Sequence, residues 1–201
     1  MIRKALAIIA LVMIASLSVA GCTQNSPTSS PTPAPTPITS KATVIGNNTT
    51  FSSSTGFNIT YPKALKIDSN NSTDTQNRIY IYLVTNNSLD SVVVQAADLP
   101  NATLSDWVTY NRGSVNDFPN FQLISNQSTT VGGTPAYTMV WQAAVPVQNG
   151  STVQNTTLKV TQTYLVNNNT GYIVTYKAIL GDYDTYLAQA QRIMNSFKLT
   201  S

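Results

Sequence analysis

Apolar and polar residues alternate at a period of two through most of this chain, and only two stretches carry helical spacing. Phe57-Asn58-Ile59-Thr60-Tyr61 alternates and then meets Pro62, which cannot continue a ladder, so it predicts a strand that stops there. Residues 78–84 (RIYIYLV) and 91–97 (SVVVQAA) are β-branched and aromatic runs on either side of Asn86-Asn87-Ser88, which predicts neighbouring strands joined by a turn. Both faces of these strands are apolar, a pattern that calls for a layer above and below the sheet. Residues 122–130, the Gly132-Gly133 turn and residues 134–147 predict a long hairpin, with Tyr137, Met139, Trp141 and Ala143 sharing one face of its second arm. Residues 155–166 and 171–179 predict another, across Asn167-Asn168-Asn169-Thr170.

The two helical stretches differ in their start signals. Thr103 precedes Asp106 by three residues, a weaker form of the capping box, and Leu104, Trp107, Val108, Val115 and Phe118 then fall on one face, with Gly113 a mild weakness. The closing helix has Asp182 at its expected cap. Tyr183, Leu187, Ala190, Met194 and Phe197 recur at helical spacing, and Asp182 and Asp184 lie where the helix dipole favours negative charge.

The pattern ahead of these elements is of another kind. Residues 1–21 have the three parts of a signal peptide: basic Arg3 and Lys4, an apolar run over residues 5–14, and small residues before a cut. Leu17-Ser18-Val19-Ala20-Gly21-Cys22 reads as a lipoprotein box, which makes Cys22 the lipidated first residue of the mature protein. Val19 stands where Leu is commoner. The alternative is an uncleaved anchor, but the apolar run falls short of the ~20 residues a spanning helix needs. Residues 22–43 turn to Ser, Thr and Pro, with Pro27, Pro31, Pro33, Pro35 and Pro37 almost alternating. Such a chain is a semi-rigid, polyproline-like tether, able to lift a domain roughly 60 Å from a bilayer. Residues 44–201 remain as a single folded domain, of a size that can bury about two-thirds of its unfolded surface.

Composition narrows the chemistry. The chain has 11 Lys and Arg against 8 acids and a pI near 9.0. Arg3 and Lys4 leave with the leader, so the mature domain is almost neutral, and it has no basic run of the kind phosphate-backbone binding needs. Nucleic acid is not an expected partner. There is no His, no Glu and no cysteine besides Cys22. Histidine-assisted serine or cysteine nucleophiles, Cys/His zinc sites and intrachain disulfides are thereby excluded or nearly so, and no cofactor is expected.

Other candidates compete with plainer readings. Asp68-Ser69-Asn70-Asn71-Ser72-Thr73-Asp74 spaces oxygen ligands as the start of a calcium loop does, but Thr73 replaces the turn glycine and Ile79 the closing acid, so a solvated turn is preferred. Asn-x-Ser/Thr triplets begin at Asn47, Asn48, Asn58, Asn70, Asn71, Asn86, Asn101, Asn126, Asn149, Asn155 and Asn168, mostly in expected loops. Asn48, Asn71, Asn101, Asn126, Asn149, Asn155 and Asn168 are the candidate glycan acceptors, against the alternative that an Asn- and Thr-rich composition makes such triplets by chance. Trp107, Trp141, Tyr80, Tyr82, Tyr164, Tyr172 and Tyr176 could line a groove, but their spacing is that of core faces. The aspartates are scattered and form no acid–base pair in the sequence.

The order of elements resembles the PsbP-like family, and among its members PsbP-related archaeal lipoproteins. The resemblance rests on Gly56-Phe57-Asn58-Ile59-Thr60-Tyr61-Pro62, on Thr130-Val131-Gly132-Gly133-Thr134-Pro135-Ala136-Tyr137, on Gly171-Tyr172-Ile173-Val174-Thr175-Tyr176 and on Ile193-Met194-Asn195-Ser196-Phe197-Lys198. It implies an α/β fold, a central antiparallel sheet flanked by helices in an α/β/α sandwich. The family's photosynthetic members are extrinsic subunits of photosystem II; others are assembly or partner-binding factors. No site residue carries over, and with no histidine the chain lacks any histidine-dependent metal contact of the family. The expectation is a non-enzymatic accessory module, held by Cys22 on the outer face of the cytoplasmic membrane and acting on an unidentified protein partner. The alternative is a surface lipoprotein binding a small ligand or calcium.

Overall fold

The computed structural model describes residues 47–70, 76–84, 87–149 and 152–200. Cys22, the leader, the tether and Asn71 to Asp74 of the calcium-like segment lie outside these residues. Strands β1 (Asn48–Ser53), β2 (Phe57–Pro62), β3 (Lys66–Asn70), β4 (Gln76–Val84) and β5 (Asn87–Asp98) precede helix α1 (Leu104–Asn116). Strands β6 (Gln122–Val131), β7 (Thr134–Asn149), β8 (Thr152–Asn167) and β9 (Thr170–Ile179) follow, then helix α2 (Tyr183–Asn195) and the short β10 (Lys198–Leu199). The long strands build a seven-stranded antiparallel sheet in the order β3-β4-β5-β9-β8-β7-β6, and β1-β2-β10 form a separate three-stranded sheet.

Strand β9 lies in the middle, and its sequence accounts for that. Its residues from Gly171 to Ala178 are all buried, which only a strand covered on both faces permits. Even-numbered Tyr172, Val174, Tyr176 and Ala178 join a core with Ile79, Ile81, Val92 and Val94 under α2 and the small sheet. Odd-numbered Ile173 joins a second core with Trp141, Val160, Tyr164 and α1's Trp107. The strand alternation thus sends α1 and α2 to opposite faces. Gly171 is required by packing: a Cβ there would stand 2.1 Å from Leu99 Cδ1 and 3.0 Å from Trp107 Cε2.

The sandwich expectation holds only coarsely. Helix α1 packs on β7 and β8 while α2 packs on β9, β5 and β2, so each face is covered over part of its width. In β4, Ile79, Ile81 and Leu83 are buried, but Tyr80 and Tyr82 on the other face are only half-buried. The two-sided burial expected of β4 is therefore one-sided, because α1 lies across the opposite half of the sheet. Three strands were not expected. Asp68-Ser69-Asn70, read as turn-forming, extends β3 by pairing with Tyr80, Ile79 and Arg78, and Asn48–Ser53 is held by its register with β2. Lys198–Leu199 pairs with Asn58 and Phe57.

The capping box of α1 is complete: Asp106 N–H donates to Thr103 Oγ1 (3.2 Å), and Thr103 N–H donates to Asp106 Oδ2 (2.9 Å). These bonds from Thr103, its side chain first, hold the Asp106 carboxyl below the usual carboxylate range. Asp182 occupies the N-cap of α2 but makes no side-chain cap bond, because its backbone is already in the helical region (φ −98°, ψ −14°). The capping expected of its carboxylate is thus not realised.

Candidate functional site

On the α2 side, β6, β7 and β8 extend beyond the helix and leave a cleft of about 750 Å³ between the sheet and the last turn of α2. Residues two apart on a strand share a face, so Gln127 and Thr129 of β6, Thr138 of β7, and Thr161 and Thr163 of β8 line its floor. Gln191, Met194, Asn195 and Phe197 close the helical side, and Lys198 is the one charged residue among the described lining residues. The hydroxyls of Thr138 and Thr163 are 2.9 Å apart across paired strands, and Thr161 Oγ1 shares a hydrogen with Tyr183 OH.

This lining can accept and donate hydrogen bonds to a neutral polar surface, peptide backbone included. It offers no group that takes or gives a proton near neutrality, since Thr, Gln and Asn do not titrate there. Three of the acids are engaged elsewhere. Asp90 is buried and its Oδ1 accepts from Ile179 N–H (2.9 Å), Asp106 serves the α1 cap, and Asp184 pairs with Lys159 at 3.5 Å. No group of three metal-ligating side chains occurs among the described residues, and Asp68 lies exposed in β3 opposite Tyr80.

Beneath the opposite face runs a buried polar network. Gln162 Oε1 accepts there from Trp141 Nε1 (2.8 Å) and Tyr164 OH (2.6 Å), while on the α2 face Tyr176 OH donates to the carbonyl of Tyr183 (2.6 Å). Burial pushes the phenols of Tyr164 and Tyr176 well up from their ordinary value. Lys177 is buried beside Ser91 in register, and burial lowers its ammonium to about 8, against a partial counter-effect from Asp90. A side chain this enclosed meets no substrate.

Of the aromatic candidates, Trp107, Trp141, Tyr164, Tyr172 and Tyr176 are core residues and none lines the cleft. Tyr80 and Tyr82 stack at 6.3 Å on the uncovered half of the α1 face, with Lys66 Nζ 5.5 Å from the Tyr82 ring. The candidate acceptors Asn48, Asn101, Asn126, Asn155 and Asn168 are exposed. Among the described acceptors, Asn101 and Asn168 sit in turns, both at positive φ; Asn126 and Asn155 are in strands, as their runs predict, and Asn48 and Asn149 are in strands where loops were expected. Asparagine-rich edge segments are polar enough to read as loops while pairing as strands. The cleft was not foreseen: its signal is the run of Gln and Thr at every second position, which becomes a site only once three strands are in register.

An antiparallel sheet with one helix on each face and a hydroxyl-lined cleft that carries a single charged residue, Lys198, defines a β-rich domain without an assembled acid–base centre among its described residues. The chain belongs to the PsbP-like protein family, whose sequence profile matches residues 6–199. The solution structure of cyanobacterial PsbP (CyanoP) from Synechocystis sp. PCC 6803 is similar, with a TM-score of 0.53 at 13% identity over 79% of this chain and 95% of that one. LpqN of Mycobacterium tuberculosis, a protein involved in cell envelope biogenesis, gives 0.50 at 14% identity over 77% of this chain and 91% of its own. At such identities the likeness is one of fold. None of the curated proteins matches the chain.

Proposed function

We propose that this chain is an extracytoplasmic lipoprotein whose PsbP-like domain is a non-enzymatic accessory module. In this reading residues 1–21 are removed, Cys22 carries the lipid, residues 22–43 are the tether, and the domain holds a protein partner on the outer face of the cytoplasmic membrane. The observation that carries it is the cleft between α2 and β6–β8, which has hydrogen-bonding side chains and room but no proton-transfer pair. Membership in the PsbP-like family and the envelope role stated for LpqN support it. No helix among the described residues is long and apolar enough to cross a membrane. The exposed Asn48, Asn101, Asn126, Asn155 and Asn168 are proposed glycan acceptors, with Asn71 and Asn149 alongside them.

The test is the mature protein recovered from membranes. A Cys22 N-terminus bearing a diacylglyceryl mass, and release of Cys22→Ser from the membrane fraction, are the expected results; an intact Met1 or an unmodified Cys22 overturns the anchor. For the module, a photo-crosslinker at Gln127 should trap a discrete protein that Thr163→Arg, which fills the cleft, no longer retains. The size of the cleft favours one second reading, a small neutral ligand. Saturable stabilisation by a mono- or oligosaccharide, with no protein trapped, would select it.

A further inference from the structure

The seven-stranded sheet has two edges, and they are built differently. Edge β3 has 5 residues and carries Lys66 and Asp68, charges that oppose the addition of another strand. Edge β6 has 10 residues, QLISNQSTTV, with neither charge nor proline, and most of its positions are exposed. The turn that follows fixes which backbone groups it offers. Gly132 and Gly133 have φ of 57° and 86°, the left-handed pair of a two-residue hairpin, which closes Val131 against Thr134 as a hydrogen-bonded pair. Such pairs recur at every second residue, at Thr129 with Ala136 and Gln127 with Thr138. The N–H and C=O groups of Asn126, Ser128 and Thr130 therefore point away from β7. Pro135 stands opposite Thr130, where β6 needs no N–H from it.

We infer that β6 pairs antiparallel with the β6 of a second copy of this chain, across a two-fold axis at Ser128. That register sets Ser128 against itself and Asn126 against Thr130 of the second copy, so all six outward groups of these three residues are satisfied. The facing side chains are Ser with Ser, Asn with Thr, and Gln127 with Thr129. All can hydrogen-bond and none repel, which is the self-complementarity an isologous contact demands. Ile124, 50% exposed, comes level with the Gly132-Gly133 turn of the second copy. The dimer stands independently of the membrane reading and is formed by the chain that carries no glycan on Asn126.

The experiment uses the full chain with Cys22→Ser, so that a single introduced thiol reports. Hydrogen-bonded antiparallel pairs hold Cα atoms about 5.5 Å apart, within disulfide reach. Ser128→Cys should form a covalent dimer under mild oxidation. Asn126→Cys and Thr130→Cys should each stay monomeric alone and cross-link when mixed. Sedimentation should show a concentration-dependent dimer for the parent and a monomer for Ser128→Pro, whose missing N–H faces outward and so leaves the β6–β7 ladder intact. Where Ser128→Pro fails to fold, Ser128→Lys places like charges face to face and should weaken the dimer at low salt, with partial recovery at high salt. A parent that is monomeric at millimolar concentration, a dimeric Ser128→Pro or Ser128→Lys, or equal cross-linking at all three positions alone overturns the inference.

Discussion

The indole of Trp107 in α1 donates its N–H to the carbonyl oxygen of Tyr172 in β9, at 3.2 Å, directly over the glycine that precedes that tyrosine. Helix and central strand are locked there because Gly171 has no side chain to hold them apart. Gly171→Ala forces Leu99 and Trp107 to move, and overpacking of this kind costs about 1–3 kcal/mol. The denaturation midpoint should fall accordingly. Leu99→Ala in the same chain should restore part of the loss, since the two changes share one space and are not additive. Equal losses that simply add would show that Leu99 is not the obstacle.

Lys177 makes stability rise with pH, but in an alkaline range well above that of acid denaturation. Its folded value, about 8, lies below that of the unfolded chain, so the unfolded state binds more protons between the two and stability rises with pH there. The buried phenols of Tyr164 and Tyr176 are shifted the other way, and above pH ~10 the unfolded chain loses tyrosine protons that the folded one keeps, which reverses the trend. Between pH 7 and 10 the Lys177 contribution should amount to about 2 kcal/mol. Urea denaturation across that range should show the rise in the parent and not in Lys177→Met.

The two helix starts should respond differently to the same change. Thr103→Ala removes a formed capping box and should cost about 1 kcal/mol. Asp182→Ala removes no side-chain cap bond and should leave the melting temperature nearly unchanged. A comparable loss at both positions would mean that the charge at the α2 start matters more than its hydrogen bonding.

Ser196 clips the end of α2 to the small sheet: its Oγ accepts from Thr60 N–H (2.8 Å), and its one hydrogen is placed between the carbonyls of Thr60 (2.9 Å) and Ile193 (2.6 Å). Ser196→Ala leaves Thr60 N–H without this acceptor and should cost about 1–3 kcal/mol. Hydrogen exchange should rise at Thr60 in β2 and at Thr200 beside β10 before it rises in β9.

The sequence told most where burial and periodicity agree. Strands β5 and β9, the hairpin at Gly132-Gly133 and helix α1 with its Thr103–Asp106 box are all readable, because each carries its own apolar stripe or turn chemistry. Ile193 was absent from the expected face of α2, although it is buried beside Ala190. Strands β1 and β3 were not readable for a different reason. Asn48–Ser53 and Asp68-Ser69-Asn70 are polar segments whose strand character comes from partners, Thr60 and Tyr80 among them, and not from their own propensity. The cleft depends on register in the same way. Thr138 and Thr163 are 25 positions apart and share a hydrogen bond only because β7 and β8 align.

The place of β9 has a bearing on the order in which the chain is made. It is the ninth strand in sequence yet joins β5 to β8, so the half-sheets on either side stay separate until residues 170–179 exist. Phe57, far upstream, finds its stacking partner only in Phe197 (5.4 Å). Contacts across such separations close slowly. A ribosome must therefore release nearly the whole domain before the two half-sheets can join.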